Sequence, residues 1–475
     1  MIKQLLQKRS VYYMLLGLNL AVILAVFYMS GKAEFPDEKG YINMADSFSK
    51  GTFSSWYFLP YEIPETLRTW GYPFFIFLIQ SVFHSIIAVK ITQLLMYAGA
   101  LFLILDLMKR FNPGLVYRNV FLLIILPNFQ LAYYTGQIAA ECVNIFFLVL
   151  FAYVYFVRPD TYKKMLWLTL LAFIIYQLRP SFLLFPFFLL MYKLLFERKN
   201  IGQYILFSFL FSLSLLPFGF WNLKHHGVFK VTPLEGGAGA AHLGYWCFKL
   251  PDNYISNFYW GSIVVPDITK PAFYSGAEKN QWLKEYEEEW GEMNKKLKPF
   301  FSAKDSVIEQ SMDLRYGQVR LYNSGYTKLR EKLLTQSLIA NIKKDPWFYC
   351  KTRVYTLGRM WFTGINPDKL AAARGTIGKI QVIYPFAVSF VFIFLGLVLV
   401  CAGVCFKWIR WKKYSLLFLL ILYFALAHLP FLVQGRYTVP VHIFILFLLS
   451  VLISQKLSRD KKQVNSGADH SKIKT

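Results

Sequence analysis

Charged residues stand beside long apolar stretches of this chain, at places where a charge is energetically unfavourable. They are Asp37, Glu38, Glu141, Arg179 and Arg436. A carboxylate there can accept the proton of a hydroxyl nucleophile, and an arginine can hold a phosphate and offset the charge that develops as it departs. Ionisable side chains at membrane depth commonly have such roles, although long ones at helix ends also simply reach the lipid headgroups. These residue types therefore indicate group transfer from a lipid-linked phosphate.

The composition indicates that much of the chain faces lipid and not water. Its 475 residues are 56% hydrophobic and 17% charged, whereas soluble domains are about half apolar and about a quarter charged. The formal net charge is +25, which in a soluble protein would suggest nucleic-acid binding. Here the same excess accompanies long apolar runs, so we assign it to membrane topology. The composition also excludes an intrinsically disordered chain and a small disulfide-rich scaffold.

The apolar stretches predict an all-α polytopic membrane protein with about ten transmembrane helices. A bilayer core requires about 20 apolar residues per helix. Ten stretches approach this length, the third and fifth being short: 11–30, 88–108, 119–134, 138–157, 165–178, 180–196, 203–221, 381–406, 415–433 and 438–455. The apolar stretch at 70–83 is too short for a span, and it predicts a helix at the membrane interface.

The distribution of lysine and arginine predicts that both termini are cytoplasmic. The N-terminus carries Lys3, Lys8 and Arg9, and no small-residue cleavage site follows, so we interpret the first helix as retained. With ten spans every inner loop is basic, as the positive-inside rule requires. These loops are 109–118, 158–164, 197–202, 407–414 and the tail from 456. The five charged residues near the apolar stretches then all fall on the outer face, although the span count does not use them.

Two outer segments are long, and they divide the chain. The first, 31–87, carries Asp37 and Glu38, and the second is long enough to form a domain with helical stretches at 275–300 and 307–345. The tail is polar, so we predict that it is disordered. The predicted parts are an N-terminal membrane module (1–221), a large extracytoplasmic domain of mixed structure (222–380), C-terminal membrane helices (381–455) and a cytoplasmic tail (456–475).

Segment 36–48, PDEKGYINMADSF, resembles the first outer loop of the integral-membrane GT-C glycosyltransferases. These include the protein O-mannosyltransferases and the aminoarabinose transferases that act on lipid A. In that family an Asp-Glu pair follows the first span and precedes a short interfacial helix with a tyrosine and a small residue. Asp37, Glu38, Tyr41 and Ala45 occupy those places.

Further segments resemble the same family in the same order. Segment 68–79, RTWGYPFFIFLI, is similar to the family's Arg-x-Pro-Gly-Tyr-Pro helix, with Trp70 in place of the first proline. At the exit into the large outer loop Trp221 stands where the family has an arginine. The other similar segments are TGQIAAECVNIFFLVL (135–150), YQLRPSFLLFPFF (176–188), WNLKHHGVFKVT (221–232) and QGRYTVP (434–440). Residues 233–380 resemble nothing in the family.

The resemblance implies a GT-C fold in the bacterial inner membrane. It implies an inverting glycosyltransferase that moves a sugar from a polyprenyl-phosphate carrier to a hydroxyl of a glycan, lipid or protein on the extracytoplasmic face. Asp37 is then the catalytic base and Glu38 supports it. The implied contacts to the donor phosphate are Arg179, Arg436, Arg68 and Lys39. The implied lining of the substrate cavity is Glu141, Tyr41, Tyr72 and Tyr437.

Alternative interpretations accompany these assignments. Asp37 could instead cap a helix over 38–48, and Arg68 could anchor the chain at the headgroups. The spans and charges also suit a transporter or flippase of lipid-linked glycans, although the inverted repeats typical of transporters are not evident. A ligase that uses lipid-diphosphate donors is a third alternative. No cofactor is required and no nucleic acid is expected, but a divalent metal is compatible with Asp37, Glu38 and Glu141.

Other polar residues carry weaker signals. Cys247 and Cys350 share the large outer segment, where either a disulfide or two free thiols are compatible with the compartment. His225 and His226 could be ligands, but they lack an accompanying carboxylate or cysteine spacing, which favours an interfacial polar role. The glycine-rich segment 236–244 lacks the Lys-Ser/Thr ending of a phosphate-binding loop.

Overall fold

The computed structural model describes residues 2–32, 35, 37–59, 63–250, 275–300, 323–362, 365, 367–431 and 435–469, and these residues form helices and connecting turns without strands. The principal helices are α1 (Arg9–Ser30), α2 (Glu38–Ser47), α3 (Gly71–Phe83), α4 (Ile86–Phe111), α5 (Leu115–Ile125), α6 (Ala140–Val157), α7 (Tyr162–Leu178), α8 (Phe185–Tyr192), α9 (Ile201–His226), α10 (Ala238–Trp246), α11 (Gly276–Leu297), α12 (Ser324–Lys344), α13 (Pro346–Arg359), α14 (Gly375–Cys405), α15 (Ser415–His428) and α16 (Val439–Asp469). Shorter helical turns are Ile2–Leu5, Phe48–Lys50, Gln130–Tyr133, Pro180–Phe182, Lys193–Glu197, Lys298–Phe300, Pro367–Ala372, Trp411–Tyr414 and Gly435–Tyr437.

Within the described residues, seven helical segments are long and apolar enough to cross a membrane, which confirms an all-α, multi-pass membrane protein. They are Arg9–Ser30, Ile86–Phe111, Ala140–Val157, Pro180–Glu197, Ile201–His226, Gly375–Cys405 and Val439–Leu457. The other predicted spans, 119–134, 165–178 and 415–433, coincide with α5, α7 and α15, which have 11, 17 and 14 residues. The total of ten spans therefore stays a prediction.

The bundle is centred on α6 and α16. Most residues of α6 and of the 439–457 part of α16 are buried inside the protein. Helix α1 leaves most of its apolar side chains at least partly exposed, as expected at a lipid-facing position. Helix α6 packs against α4 and α7, and α16 packs against α5, α6 and α14. The outer ends of these helices therefore lie close to one another.

A buried glutamine holds the irregular backbone between α5 and α6. Gln93 of α4 accepts a hydrogen bond from the Tyr72 hydroxyl at 2.7 Å, and its amide donates to the carbonyls of Thr135 at 3.2 Å and Gln137 at 2.7 Å. The Gln137 side chain in turn donates to the carbonyl of Ser30 at the end of α1. Because a bare carbonyl at membrane depth is costly, these bonds fix the segment before α6 against α1, α3 and α4.

The large outer segment has a core of its own. Its described residues form α10, α11, α12 and α13, so the expected mixed structure is wrong for them. Helix α12 covers 324–344 of the helical stretch expected at 307–345, and residues 307–322 lie outside the described part of the chain. The predicted stretch 275–300 is confirmed, and α11 begins with a capping box between Ser275 and Glu278. The core residues are Leu243, Tyr245, Trp246, Cys247, Phe248, Leu250, Tyr286, Trp290, Met293, Leu334 and Phe348.

Two further expectations differ from the structure. Helix α16 continues to Asp469 and so includes most of the tail that was predicted to be disordered. Cys247 is buried in the outer core and Cys350 is exposed on α13, and no disulfide joins them. The structure therefore favours the alternative of two thiols over a disulfide.

The start of α3 approaches the end of α7 so closely that only glycine fits. A Cβ atom on Gly71 would lie 2.5 Å from the carbonyl oxygen of Gln177, which also accepts a 2.7 Å hydrogen bond from the Thr69 hydroxyl. We expect Gly71→Ala to destabilise the protein by about 1–3 kcal/mol, because two backbones must separate. The matched control is Gly17→Ala in α1, where no heavy atom lies within 4 Å. Unfolding followed in detergent micelles measures both, and equal stability of the two variants would contradict this packing.

Candidate functional site

Charged side chains from distant parts of the chain meet at one end of the bundle, the end that the distribution of lysine and arginine predicts to be outer. Asp37 and Glu38 lie at the start of α2, Arg68 precedes α3, and Lys90 lies in the first turns of α4. Glu141 opens α6, Arg179 ends α7, and Arg436 lies between α15 and α16. We call these residues the outer charge cluster: Asp37, Glu38, Arg68, Lys90, Glu141, Arg179 and Arg436.

Asp37 lies between two guanidinium groups. Its Oδ1 accepts from Arg68 Nη2 at 2.8 Å, and its Oδ2 accepts from Arg436 Nη1 at 3.2 Å. Asp37 also occupies the N-cap position of α2, but its side chain makes no capping hydrogen bond there. The structure therefore favours an ion-paired carboxylate over a helix cap, and it places Arg68 in a salt bridge and not free at the headgroups.

The two arginines keep Asp37 ionised. Burial opposes ionisation of this carboxyl, but the charges and hydrogen bonds of Arg68 and Arg436 outweigh burial and lower the pKa of Asp37. Burial likewise disfavours the charged form of Arg436, yet the nearby carboxylates of Glu141 and Asp37 raise the pKa of this arginine. Arg436 therefore interacts electrostatically with both carboxylates, and it connects Asp37 to the part of the cluster that contains Glu141.

Glu141 and Arg179 form the second strong ion pair of the cluster. Arg179 Nη2 donates to Glu141 Oε1 at 2.6 Å, and the two side chains are only 14% and 5% exposed, respectively. Local sequence places both groups favourably. Glu141 lies in the first turn of α6 and Arg179 directly follows the last turn of α7, where the helix dipoles favour an anion and a cation. Pro180 then ends α7 at this point.

Lys90 was not identified from the sequence. Its Nζ lies 4.0 Å from Glu38 Oε1 and donates to the carbonyl of Gly31 at 3.2 Å. Glu38 also accepts from the backbone N–H of Phe35 at 3.3 Å. These contacts hold the chain that leaves α1. The sequence did contain a signal for Lys90, because a single lysine inside an apolar span is energetically unfavourable unless it has a partner.

The tyrosines differ in how they contact the cluster. Tyr41 lies under Arg68, with the guanidinium carbon 5.1 Å from the ring centroid, and burial together with the Asp37 charge raises the pKa of Tyr41 to about 12. Tyr437 packs against Arg436 at 5.9 Å and stacks on His428, another residue that the sequence did not indicate. Tyr72 packs against Tyr41 and donates a hydrogen bond from its hydroxyl to Gln93, so Tyr72 supports Tyr41 and does not contact the charges of the cluster directly.

Other candidates lie apart from the cluster. Lys39 is exposed on α2 and forms no salt bridge with any described residue. His226 bonds the Ser324 hydroxyl at 2.7 Å and the Glu65 carbonyl at 3.2 Å, which joins α9 to the outer domain. Among the described residues, no group of three or more His, Cys, Asp or Glu side chains is arranged to hold a metal ion.

The cluster has a positive balance suited to an anion. Its cations are Arg68, Lys90, Arg179 and Arg436, and its carboxylates are Asp37, Glu38 and Glu141, which leaves a formal net charge of +1. Each arginine has five N–H donors, so it can contact a second anion while it keeps its ion pair with a carboxylate.

Comparison of the chain with protein-family models, curated proteins and solved structures finds no match.

Removing one partner of the buried Glu141–Arg179 pair should lower the stability of the protein more than removing both partners. We expect Glu141→Ala to cost about 3 kcal/mol, because Arg179 is left buried without its counter-charge. The double variant with Arg179→Ala should recover part of this loss. The matched control is Asp106→Ala, which breaks an equally short but exposed pair with Arg110 and should cost less than about 1 kcal/mol. Unfolding in detergent measures all variants, and additive losses in the double variant would contradict the coupling.

Proposed function

We propose that the protein is an inverting glycosyltransferase that uses a polyprenyl-phosphate-linked sugar as donor. The observation that carries the proposal is the ionised Asp37 between Arg68 and Arg436, with the Glu141–Arg179 pair beside it. This arrangement offers a proton acceptor and several phosphate ligands at the outer end of a membrane bundle. The resemblance of segment 36–48 to the GT-C first outer loop supports the same reading.

Asp37 acts as the general base in this mechanism. The acceptor hydroxyl enters from the extracytoplasmic side and attacks the anomeric carbon on the face opposite the phosphate. Its proton passes to the Asp37 carboxylate as the new carbon–oxygen bond forms and the bond to the phosphate oxygen breaks. One displacement inverts the anomeric configuration. Glu38 contributes indirectly, since its contacts with Lys90 and the Phe35 N–H hold the segment that presents Asp37.

The arginines stabilise the leaving phosphate. A sugar phosphodiester carries a single negative charge, which the net positive cluster can neutralise. The departing phosphate monoester carries a second charge, so guanidinium contacts become stronger as the bond breaks. Arg179 pairs with Glu141, whose charge also acts on Arg436, whereas Arg68 belongs to the first outer segment and pairs with Asp37. We assign the donor phosphate to the first two, with Arg68 chiefly controlling Asp37.

The proposed setting is the bacterial inner membrane, with both termini cytoplasmic and the cluster on the outer face. The acceptor is a hydroxyl of a glycan, lipid or protein, and the outer domain next to the cluster is the natural place for its recognition. No step in this mechanism requires a metal or an organic cofactor.

Replacing the base should abolish turnover with little change in donor binding. We expect Asp37→Asn to lower kcat by about 100-fold to 10,000-fold, because the amide cannot accept the proton. The control is Asp46→Asn on the same helix, whose carboxylate contacts Tyr57 and lies outside the cluster. The assay uses purified protein with radiolabelled polyprenyl-phosphate sugar and a mixture of hydroxyl acceptors. Near-normal turnover of Asp37→Asn would exclude the base assignment, and lipid movement into liposomes without any sugar transfer would favour a flippase.

Removing Arg68 should move the acid limb of the pH profile. Since Arg68 lowers the pKa of Asp37, Arg68→Gln raises that pKa. The ionised base is then lost at a higher pH as the solution is acidified. We expect the acid limb of kcat/KM to lie below the ordinary aspartate range in the wild type and to shift upward in Arg68→Gln. Arg110→Gln, at the exposed pair far along α4, is the control, and an unshifted limb in Arg68→Gln would contradict the proposed control of Asp37.

A further inference from the structure

Helix α13 of the outer domain presents an apolar face outward. Trp347, Val354 and Leu357 are 77%, 69% and 41% exposed, and the exposed Cys350 lies between them in the chain. At 100° per residue these side chains fall within one arc of roughly 80°, and the exposed Lys351 lies at its edge. A helix that faces water normally shows the reverse pattern, with polar residues on its exposed side.

The opposite face of α13 is buried and anchored. Phe348, Thr352, Arg353 and Thr356 are buried there. The Arg353 guanidinium donates to the carbonyls of Leu429 at 3.0 Å and Pro430 at 3.2 Å, beyond the end of α15, and to the carbonyl of Gly244 in the outer domain. These bonds fix the rotation of α13 about its axis, so the apolar arc cannot turn inward.

The C-terminal end of α13 lies beside membrane-spanning helices. A Cβ atom on Gly358 would meet the Phe394 ring at 3.8 Å, and Phe394 lies 11 residues, about 17 Å, from the far end of α14. Phe394 therefore lies within the length of α14 that is apolar enough to cross a membrane. The next residue but one, Met360, accepts a 2.6 Å hydrogen bond from Thr438 at the start of α16. Helix α13 therefore descends toward the apolar layer that surrounds α14.

We propose that α13 is a membrane-seated helix whose apolar face lies in the outer leaflet. Its face is continuous with the lipid-facing surface of α14, since Phe362, just beyond α13, packs against Phe394 with ring centroids 5.6 Å apart, and Val391 of α14 is also exposed. The exposed Lys343 and Lys344 lie just before the N-terminal end of α13, where they meet the lipid phosphates. Trp347 then lies at the interface and Leu357 lies deeper.

This seating fixes the outer domain relative to the cluster, whatever reaction the cluster performs. Arg353 binds the carbonyls at the end of α15, on the chain that leads to Arg436. The lipid face and the Arg353 face belong to one rigid helix of 14 residues. Contact of α13 with the membrane therefore helps to position both the outer domain and the segment that carries Arg436.

Spin-label accessibility tests the proposal in the full-length protein. In a Cys350→Ser, Cys401→Ser, Cys405→Ser background, nitroxides are attached at Trp347→Cys, Val354→Cys or Leu357→Cys, and the protein is reconstituted in phosphatidylcholine–phosphatidylglycerol vesicles. The collision rates of each label with oxygen, which concentrates in lipid, and with a water-soluble nickel chelate are then measured. Glu288→Cys on the exposed side of α11 is the aqueous control.

We expect the label at 354 to collide mainly with oxygen and the label at 288 mainly with the nickel chelate. The oxygen-to-nickel ratio should rise from 347 through 354 to 357, as depth increases toward the C-terminal end. A label at 354 as accessible to nickel as the one at 288 would overturn the proposal. Protection of 354 from both reagents would overturn it as well, because a protein surface and not lipid would then cover the face.

Discussion

The ion pairs of Asp37 connect the N-terminal membrane module to the C-terminal membrane helices. This carboxylate is withdrawn from bulk water, and a buried charge is tolerated only when an opposite charge and hydrogen bonds compensate it. Its two partners lie 31 and 399 residues away along the chain. Compensating the charge of Asp37 therefore requires the start of α2, the segment before α3 and the connection between α15 and α16 to lie next to one another. The second pair, Glu141 with Arg179, adds α6 and α7 to the same point.

Polar side chains that bind the backbone give this meeting point its rigidity. Gln93 and Gln137 satisfy carbonyls in the irregular segment before α6, and the Thr69 hydroxyl does the same for Gln177 before Arg179. Two close approaches add to them, because a Cβ on Gly71 or Gly136 would collide with the backbone of a neighbouring segment. Irregular backbone at membrane depth is stable only when protein groups complete its hydrogen bonds. The charged side chains thus project from segments whose positions are already fixed.

The outer domain is joined to this frame by polar contacts at several places. The Glu235 N–H donates to the carbonyl of Thr66 in the first outer loop at 2.9 Å, and His226 bonds Ser324. Arg353 joins the domain to the end of α15. The aromatic core of the domain is a cluster separate from the membrane core. The position of the domain depends on the bundle, because each connection ends on a segment next to the cluster.

The sequence by itself determined the membrane class, most helix positions and the identity of the key charges. Each of these depends on local properties: the length of an apolar run, or the energetic cost of a charge beside it. The tertiary structure alone decided which charges pair. Arg68 could have been a headgroup anchor and Asp37 a helix cap, and Lys90 gave only a weak signal, because pairing depends on how helices distant in sequence pack. The orientation of α13 likewise required the structure. Periodicity shows which residues share a face, but in a membrane protein the core and the lipid are both apolar, so the pattern cannot say which of them an apolar face contacts.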